Sequence, residues 1–104
     1  MIKKHVLYLG LNDKDSKVQE IATLDAYKIA MNLIAGVGYE GASISESTGF
    51  YTHENGEFVI EKSFRIEILF ADEEKTANLI RDLKKAFNQE SIAFQSEMIE
   101  SKLV

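Results

Sequence analysis

The sequence predicts an α+β fold of the ferredoxin-like βαββαβ kind: a four-stranded antiparallel sheet, two helices on one face, and an extended hairpin between the second and third strands. Three observations lead there. Two alternating stretches within residues 42–70 meet at the turn-forming run His53-Glu54-Asn55-Gly56-Glu57. Two segments of helical period lie on either side of that hairpin. An apolar stretch opens the chain and an alternating one ends it, so each helix connects a pair of strands.

His5 to Leu11 reads as a strand that is apolar on both faces through Val6, Leu7, Tyr8 and Leu9, the pattern of a strand in mid-sheet. Asn12 to Glu20 is polar and turn-prone. Leu24, Tyr27, Met31 and Ile34 then recur at helical spacing, with Ala30 and Leu33 widening the stripe, Thr23 as the favoured N-cap with an earlier start at Ile21-Ala22 as the alternative, and Gly36, Gly38 and Gly41 ending the helix. Asp72 can cap the second helix, whose first turn carries Glu73 and Glu74 and whose last carries Lys84 and Lys85, matching the helix dipole at both ends. Its buried stripe is Thr76, Leu79, Ile80, Leu83 and Phe87, and Asn88 terminates it. Ser91 to Ile99 forms the last strand, with Ile92 and Phe94 inward.

The hairpin register follows from sorting side chains onto faces. A two-residue Asn55-Gly56 turn would set Ile44 against Glu67 and mix apolar with polar rows. A three-residue turn, with Gly56 as a left-handed bulge residue, pairs His53 with Glu57, Phe50 with Ile60, Ile44 with Ile66 and Ala42 with Ile68. The other face then carries Ser43 against Glu67, Ser45 against Arg65, Ser47 against Ser63 and Tyr51 against Val59. Residues from about 48 to 62 project as a two-stranded ribbon, which is marginal in water alone. Phe50, Tyr51, Phe58, Val59 and Ile60 make it too apolar for a free arm, so it is expected to pack on a neighbouring subunit.

At 104 residues the chain is one domain, and its 45% hydrophobic and 28% charged composition is that of a soluble globular protein. No apolar run approaches the roughly 20 residues of a membrane span, and no secretory signal is evident. The absence of cysteine excludes disulfides and thiolate chemistry and fits a cytoplasmic protein. A net charge of −5 argues against binding nucleic acid through its phosphates.

Several residues are candidates for chemistry. Glu46 falls on the helix-covered face with Lys62 diagonally across, reading either as an acid of raised pKa or as a structural ion pair. Arg65, opposite Ser45 and beside Glu67, offers a carboxylate or phosphate site or a solvated ladder. Gln89 and Glu90, with Ser91, bring polar groups to a sheet edge near the helix end. Asp13 and Asp15 alternate as in a calcium loop, but Lys17 takes the next ligand position. His53-Glu54 lacks the second histidine of a zinc-protease helix, so no metal and no cofactor are expected. Neither His5 nor His53 has a serine at a diagnostic spacing, and no catalytic residue is assigned.

The stretch Gly41-Ala42-Ser43-Ile44-Ser45-Glu46-Ser47-Thr48-Gly49-Phe50, then Phe64-Arg65-Ile66-Glu67-Ile68-Leu69-Phe70 and Asp72-Glu73-Glu74, resembles the PII-like signalling superfamily. That resemblance, over residues 36 to 87, implies a ferredoxin-like subunit, commonly a trimer, that senses small molecules in clefts between subunits. Two departures matter. The long target-touching loop of those proteins is replaced by the turn at residues 53 to 57, and their glycine-rich, lysine-bearing segment before the last strand is here Asn88-Gln89-Glu90-Ser91. The resemblance therefore places no ATP site here. Phe87-Asn88-Gln89-Glu90-Ser91-Ile92 also resembles a signature of a family of small bacterial proteins, which carries over no activity.

The expected function is non-catalytic: a homo-oligomeric binding or sensing protein, trimer before dimer, recognising a small ligand or a partner protein. The alternatives are a small dimeric enzyme with an apolar cavity between sheet and helices, and an adaptor or inhibitor encoded by a mobile element.

Overall fold

In the computed structural model, which describes residues 1–52 and 54–104, the chain runs β1 (Ile2–Gly10), α1 (Thr23–Gly36), β2 (Ser43–Thr52), β3 (Phe58–Leu69), α2 (Glu73–Ala86), β4 (Ala93–Ile99). The strands form one antiparallel sheet in the order β2-β3-β1-β4, the α+β ferredoxin-like arrangement, with β1 in mid-sheet. Side-chain period decides the layers. Leu7, Leu9, Leu11, Phe64, Ile66 and Ile68 point from the sheet into a buried core that Ala26, Ala30 and Ile34 of α1 and Leu79, Leu83 and Phe87 of α2 close from the other side.

The β2–β3 register pairs Ile44 with Ile66, Phe50 with Ile60, Ser45 with Arg65 and Ser47 with Ser63, as the facing argument requires. The ladder ends at Ser43↔Glu67, so Ala42 and Ile68 are not paired. Gly56 sits at φ 85°, the left-handed conformation that a bulged turn demands, and Asn55 Oδ1 accepts from the Glu57 N–H at 2.9 Å. The expected His53–Glu57 pair lies outside the described residues. Since β1 pairs with β3 only as far as Gly10↔Ser63, β2 and β3 run on beyond the sheet as a ribbon in which residues 48–52 pair with residues 58–62. The molecule is accordingly long, 47 × 24 × 23 Å.

The structure corrects three further sequence expectations. Ala22 occupies the N-cap of α1, and Thr23 is its first helical residue, whose hydroxyl instead accepts from Gln19 Nε2 and Lys62 Nζ. Leu24 and Met31 are 67% and 52% exposed, because the small side chains of Ala26 and Ala30 let the helix sit close to the sheet and turn that flank outward. β4 starts at Ala93, with Phe94 on the helix side yet 43% exposed at the sheet edge, where its ring meets His5 edge-on at 4.8 Å. For α2 the expectation holds in detail, the Asp72 carboxylate accepting from the Lys75 N–H at 2.8 Å as N-cap.

Candidate functional site

Where the sheet gives way to the ribbon, the helix-free face is concave. Tyr8 and Gly10 of β1, Tyr51 of β2, and Val59, Glu61 and Ser63 of β3 line a trough of about 640 Å³ whose other wall is the 12–17 loop and Gln89-Glu90-Ser91. Strand alternation explains the membership. Residues 59, 61 and 63 share the face that Tyr51 and Tyr8 occupy on the neighbouring strands.

Glu61 is the central group, and no periodicity marks it in the sequence. Its Oε2 accepts from the Asn12 N–H at 2.9 Å, and its carboxylate lies over Gly10, where any Cβ would stand 2.6 Å from Oε2. A glycine in the middle strand of the sheet is thus what admits a carboxylate to the trough floor. Asp13, Glu57 and Glu90 add three more acids to the lining, against Lys14 and Lys17. The lining therefore favours a ligand carrying positive charge, with cations at the loop side for a ligand carboxylate.

The loop wall is fixed by polar bonds rather than by packing. Asp13 Oδ1 accepts from the N–H groups of Asp15 and Ser16, while the Asn88 side-chain amide donates to Asp13 Oδ2 at 3.0 Å and to Asp15 Oδ2 at 2.8 Å. These donors, Ser16 N–H foremost and the Asn88 amide next, hold the Asp13 carboxyl below its ordinary value. Gln89 Nε2 donates to Asn12 O at 2.6 Å, and Lys14 N–H to Asn88 O at 3.1 Å. Asn88 adopts φ 48° at the end of α2, which turns the chain back along the loop.

The structure brings together residues that the sequence suggested for separate purposes. Gln89 and Glu90 share the trough with Tyr51 and Val59 of the ribbon. Arg65 and Ser45 lie farther along the same face. The Arg65 guanidinium donates to Glu67 Oε2 at 2.7 Å, and Glu67 first, with the Tyr8 side chain next, holds its pKa above the ordinary value. Next to it Lys4 pairs with Glu97 at 2.8 Å, and these ion pairs arch over Val6. Glu46 is on the opposite face, 3.6 Å from Lys62, with both side chains nearly half exposed. On the opposite side of the ribbon from the trough, Phe50 and Phe58 stack at 5.8 Å and stand with Ile60 at 73%, 60% and 64% exposure.

Away from the trough, Thr76 Oγ1 lies 2.8 Å from His5 Nδ1, and His5 Nε2 lies 3.7 Å from Glu73 Oε1. The order hydroxyl, imidazole, carboxylate is that of a nucleophilic triad. With Thr76 1% and His5 0% exposed, no substrate can reach the hydroxyl, and the set belongs to the core.

Among the described residues no helix is long and apolar enough to cross a membrane. No family model and no curated protein matches the sequence. Solved structures do match. A phage SAM lyase in complex with S-methyl-5'-thioadenosine superposes with a TM-score of 0.70 at 25% identity, over 91% of this chain and 79% of that one. The periplasmic divalent cation tolerance protein CutA from Archaeoglobus fulgidus gives 0.62 at 17% identity over 96% and 87% of the two chains. A DUF3240 family protein from Shewanella baltica gives 0.56 at 11% identity, over 100% and 97%. The CutA and DUF3240 likenesses lie in the fold alone.

Proposed function

We propose that the protein is a homo-oligomer, trimeric in preference to dimeric, that takes a ligand of the S-adenosylmethionine class in the trough beside the ribbon. The observation that carries this reading is the junction itself: an acidic trough of about 640 Å³ backed by a ribbon whose Phe50, Phe58 and Ile60 stand exposed. Water is a poor cover for such a row, and a second copy of the chain fits the site's position. The lining suits the ligand class. Tyr8 and Tyr51 offer aromatic faces to adenine, Ser63 and Gln89 offer hydrogen bonds to ribose, and Glu61 offers its charge to a sulfonium centre. The likeness to a lyase structure that holds S-methyl-5'-thioadenosine supports the same class.

The second reading is catalytic, and Glu61 together with that lyase likeness favours it. As the sulfonium–carbon bond breaks its electron pair stays on sulfur, so the departing thioether is neutral and needs no acid, while the carbon takes an electron pair from the ligand's own carboxylate and closes a lactone. A site would have to orient the ligand and stabilise its charge, which Glu61, Tyr51 and a covering subunit could do. Between sheet and helices lies a buried apolar cluster, and in this reading the trough is where the chemistry would sit.

Light scattering at micromolar protein, with Phe58→Ser beside the wild type, tests the assembly. A trimer that the substitution dissociates supports the reading, and a wild-type monomer overturns it. Calorimetric titration with S-adenosylmethionine and with S-methyl-5'-thioadenosine tests the ligand class, with ATP as control. Disappearance of S-adenosylmethionine and appearance of the thioether by chromatography selects the catalytic reading. Absence of any heat, with specific capture of a macromolecule, selects the adaptor.

A further inference from the structure

The trough does not use His5, which is fully buried between β1, α2 and β4. Its Nδ1 lies 2.8 Å from Thr76 Oγ1, which lies 2.6 Å from the Tyr39 hydroxyl, and that hydroxyl both donates to Asp72 O and accepts from Asp72 N–H at 2.9 Å. Nε2 has no hydrogen-bond partner among the described residues, although Glu73 Oε1 stands 3.7 Å away, held by Lys3 Nζ at 2.6 Å. A buried nitrogen left in that condition is costly.

Each hydroxyl owns one proton, so the direction of the chain depends on the imidazole. If Tyr39 donates to Asp72 O, then Thr76 must donate to Tyr39 and Nδ1–H to Thr76. With a neutral ring Nε2 is then a bare lone pair facing the Glu73 carboxylate. If Nε2 carries the proton instead, Nδ1 must accept from Thr76 and Thr76 from Tyr39, and the Tyr39 bond to Asp72 O is lost. Only the imidazolium supplies a donor at both ends. It keeps the three bonds running toward Asp72 O and turns an N–H on Glu73.

We propose that His5 is a proton-operated latch between β1 and the first turn of α2: protonation keeps the hydroxyl chain directed at Asp72 O, gives Nε2 an N–H, and draws Glu73 from Lys3 onto it. The groups that face the ring are few. α2 contributes Glu73 and Thr76, β1 contributes Lys3 through Glu73, the segment before β2 contributes Tyr39 through Thr76, β3 sets Ile68 opposite, and β4 sets Ser96 opposite and the edge of Phe94. Asp72 takes part through its backbone, its carboxylate being occupied by the Lys75 N–H. The latch stands apart from any ligand in the trough, since Tyr39 and α2's first turn lie at the end of β1 away from Gly10.

The test uses Glu73→Gln, which alters an exposed side chain and leaves the core intact, with Lys3→Met as companion. Melting of each is compared with wild type at pH 8 and pH 5, and the ring nitrogens of His5 are followed by NMR. The latch predicts that the gap between wild type and Glu73→Gln widens by about 3 °C or more on going to pH 5. The Lys3→Met gap stays constant or shrinks, because it removes the competitor for Glu73. The His5 nitrogens should pass from one neutral tautomer to the imidazolium in the folded wild type. A gap independent of pH, or a ring that remains neutral at pH 5 in the folded protein, overturns the proposal.

Discussion

Glu61 lays its carboxylate over Gly10, with the place of the missing Cβ 2.6 Å from Oε2 and 2.7 Å from Oε1. The relation binds a backbone position on β1 to the floor of the trough on β3. In Gly10→Ala the atom displaced is the end of a flexible side chain, so the fold should survive at a cost of about 1 kcal/mol, mostly the lost bond to Asn12 N–H. The carboxylate, however, must swing away. Titration with S-adenosylmethionine should show affinity weakened about tenfold or more, for a loss of about 1.4 kcal/mol. A variant that binds as the wild type does would remove Glu61 from the site.

The hairpin was legible because a period of two permits no compromise: shifting one residue moves every side chain to the wrong face, and Ile44↔Ile66 is the register that avoids this. α2 was legible from its cap and its charges. For α1 the sequence pointed to Ile34 and Ala30, which are buried, but also to Leu24 and Met31, since a large apolar residue at helical spacing looks buried, and it passed over Ala26. Alanine gives no such signal. Glu61 was hidden for a different reason. What marks it is a glycine about fifty positions earlier, and the relation exists only once β1 and β3 are paired. His5 was likewise silent, its partners Thr76 and Glu73 being some seventy residues away.

Tyr39 carries three hydrogen bonds on one oxygen, tying the segment before β2 to both backbone groups of Asp72 and to Thr76. Tyr39→Phe leaves the ring packing in place but strips those partners, of which Thr76 remains buried. The expected loss is about 1–3 kcal/mol, measured by urea unfolding with an unchanged slope. A loss under about 0.5 kcal/mol would mean that Asp72 and Thr76 find other partners.

Acid should find two weak points. Lys3, by its hydrogen bond and then its charge, holds the Glu73 carboxyl below its ordinary 4.5, and the Ser16 N–H and the Asn88 amide hold Asp13 below 3.8. A carboxyl with a depressed folded pKa contributes stability that is present above its unfolded value and is lost as the pH falls through the folded one. Melting temperature should therefore begin to drop below about pH 4.5, where Glu73 titrates in the unfolded chain, and drop further below 3.8 as Asp13 does. Asp13→Asn should melt lower than wild type at neutral pH and lose less of its stability between pH 4 and pH 2.5. Parallel curves would show that the Asp13 carboxylate contributes nothing to holding the loop.

The turn offers a test of backbone strain separate from packing. Gly56 has φ +85° and nothing within 4 Å of where its Cβ would be, so a substitution there meets no neighbour and probes conformation alone. Valine resists that region because its branched Cβ crowds the backbone, and Gly56→Val should cost about 1–2 kcal/mol. Asparagine tolerates it, and Gly56→Asn should cost less than half as much. Both variants keep the ribbon's apolar row, so any change in subunit mass beside the change in melting would show that the turn sets the ribbon's docking geometry. If valine and asparagine melt alike, the left-handed bend does not govern the hairpin, and register must rest on the facing of Ile44 with Ile66 and Phe50 with Ile60 alone.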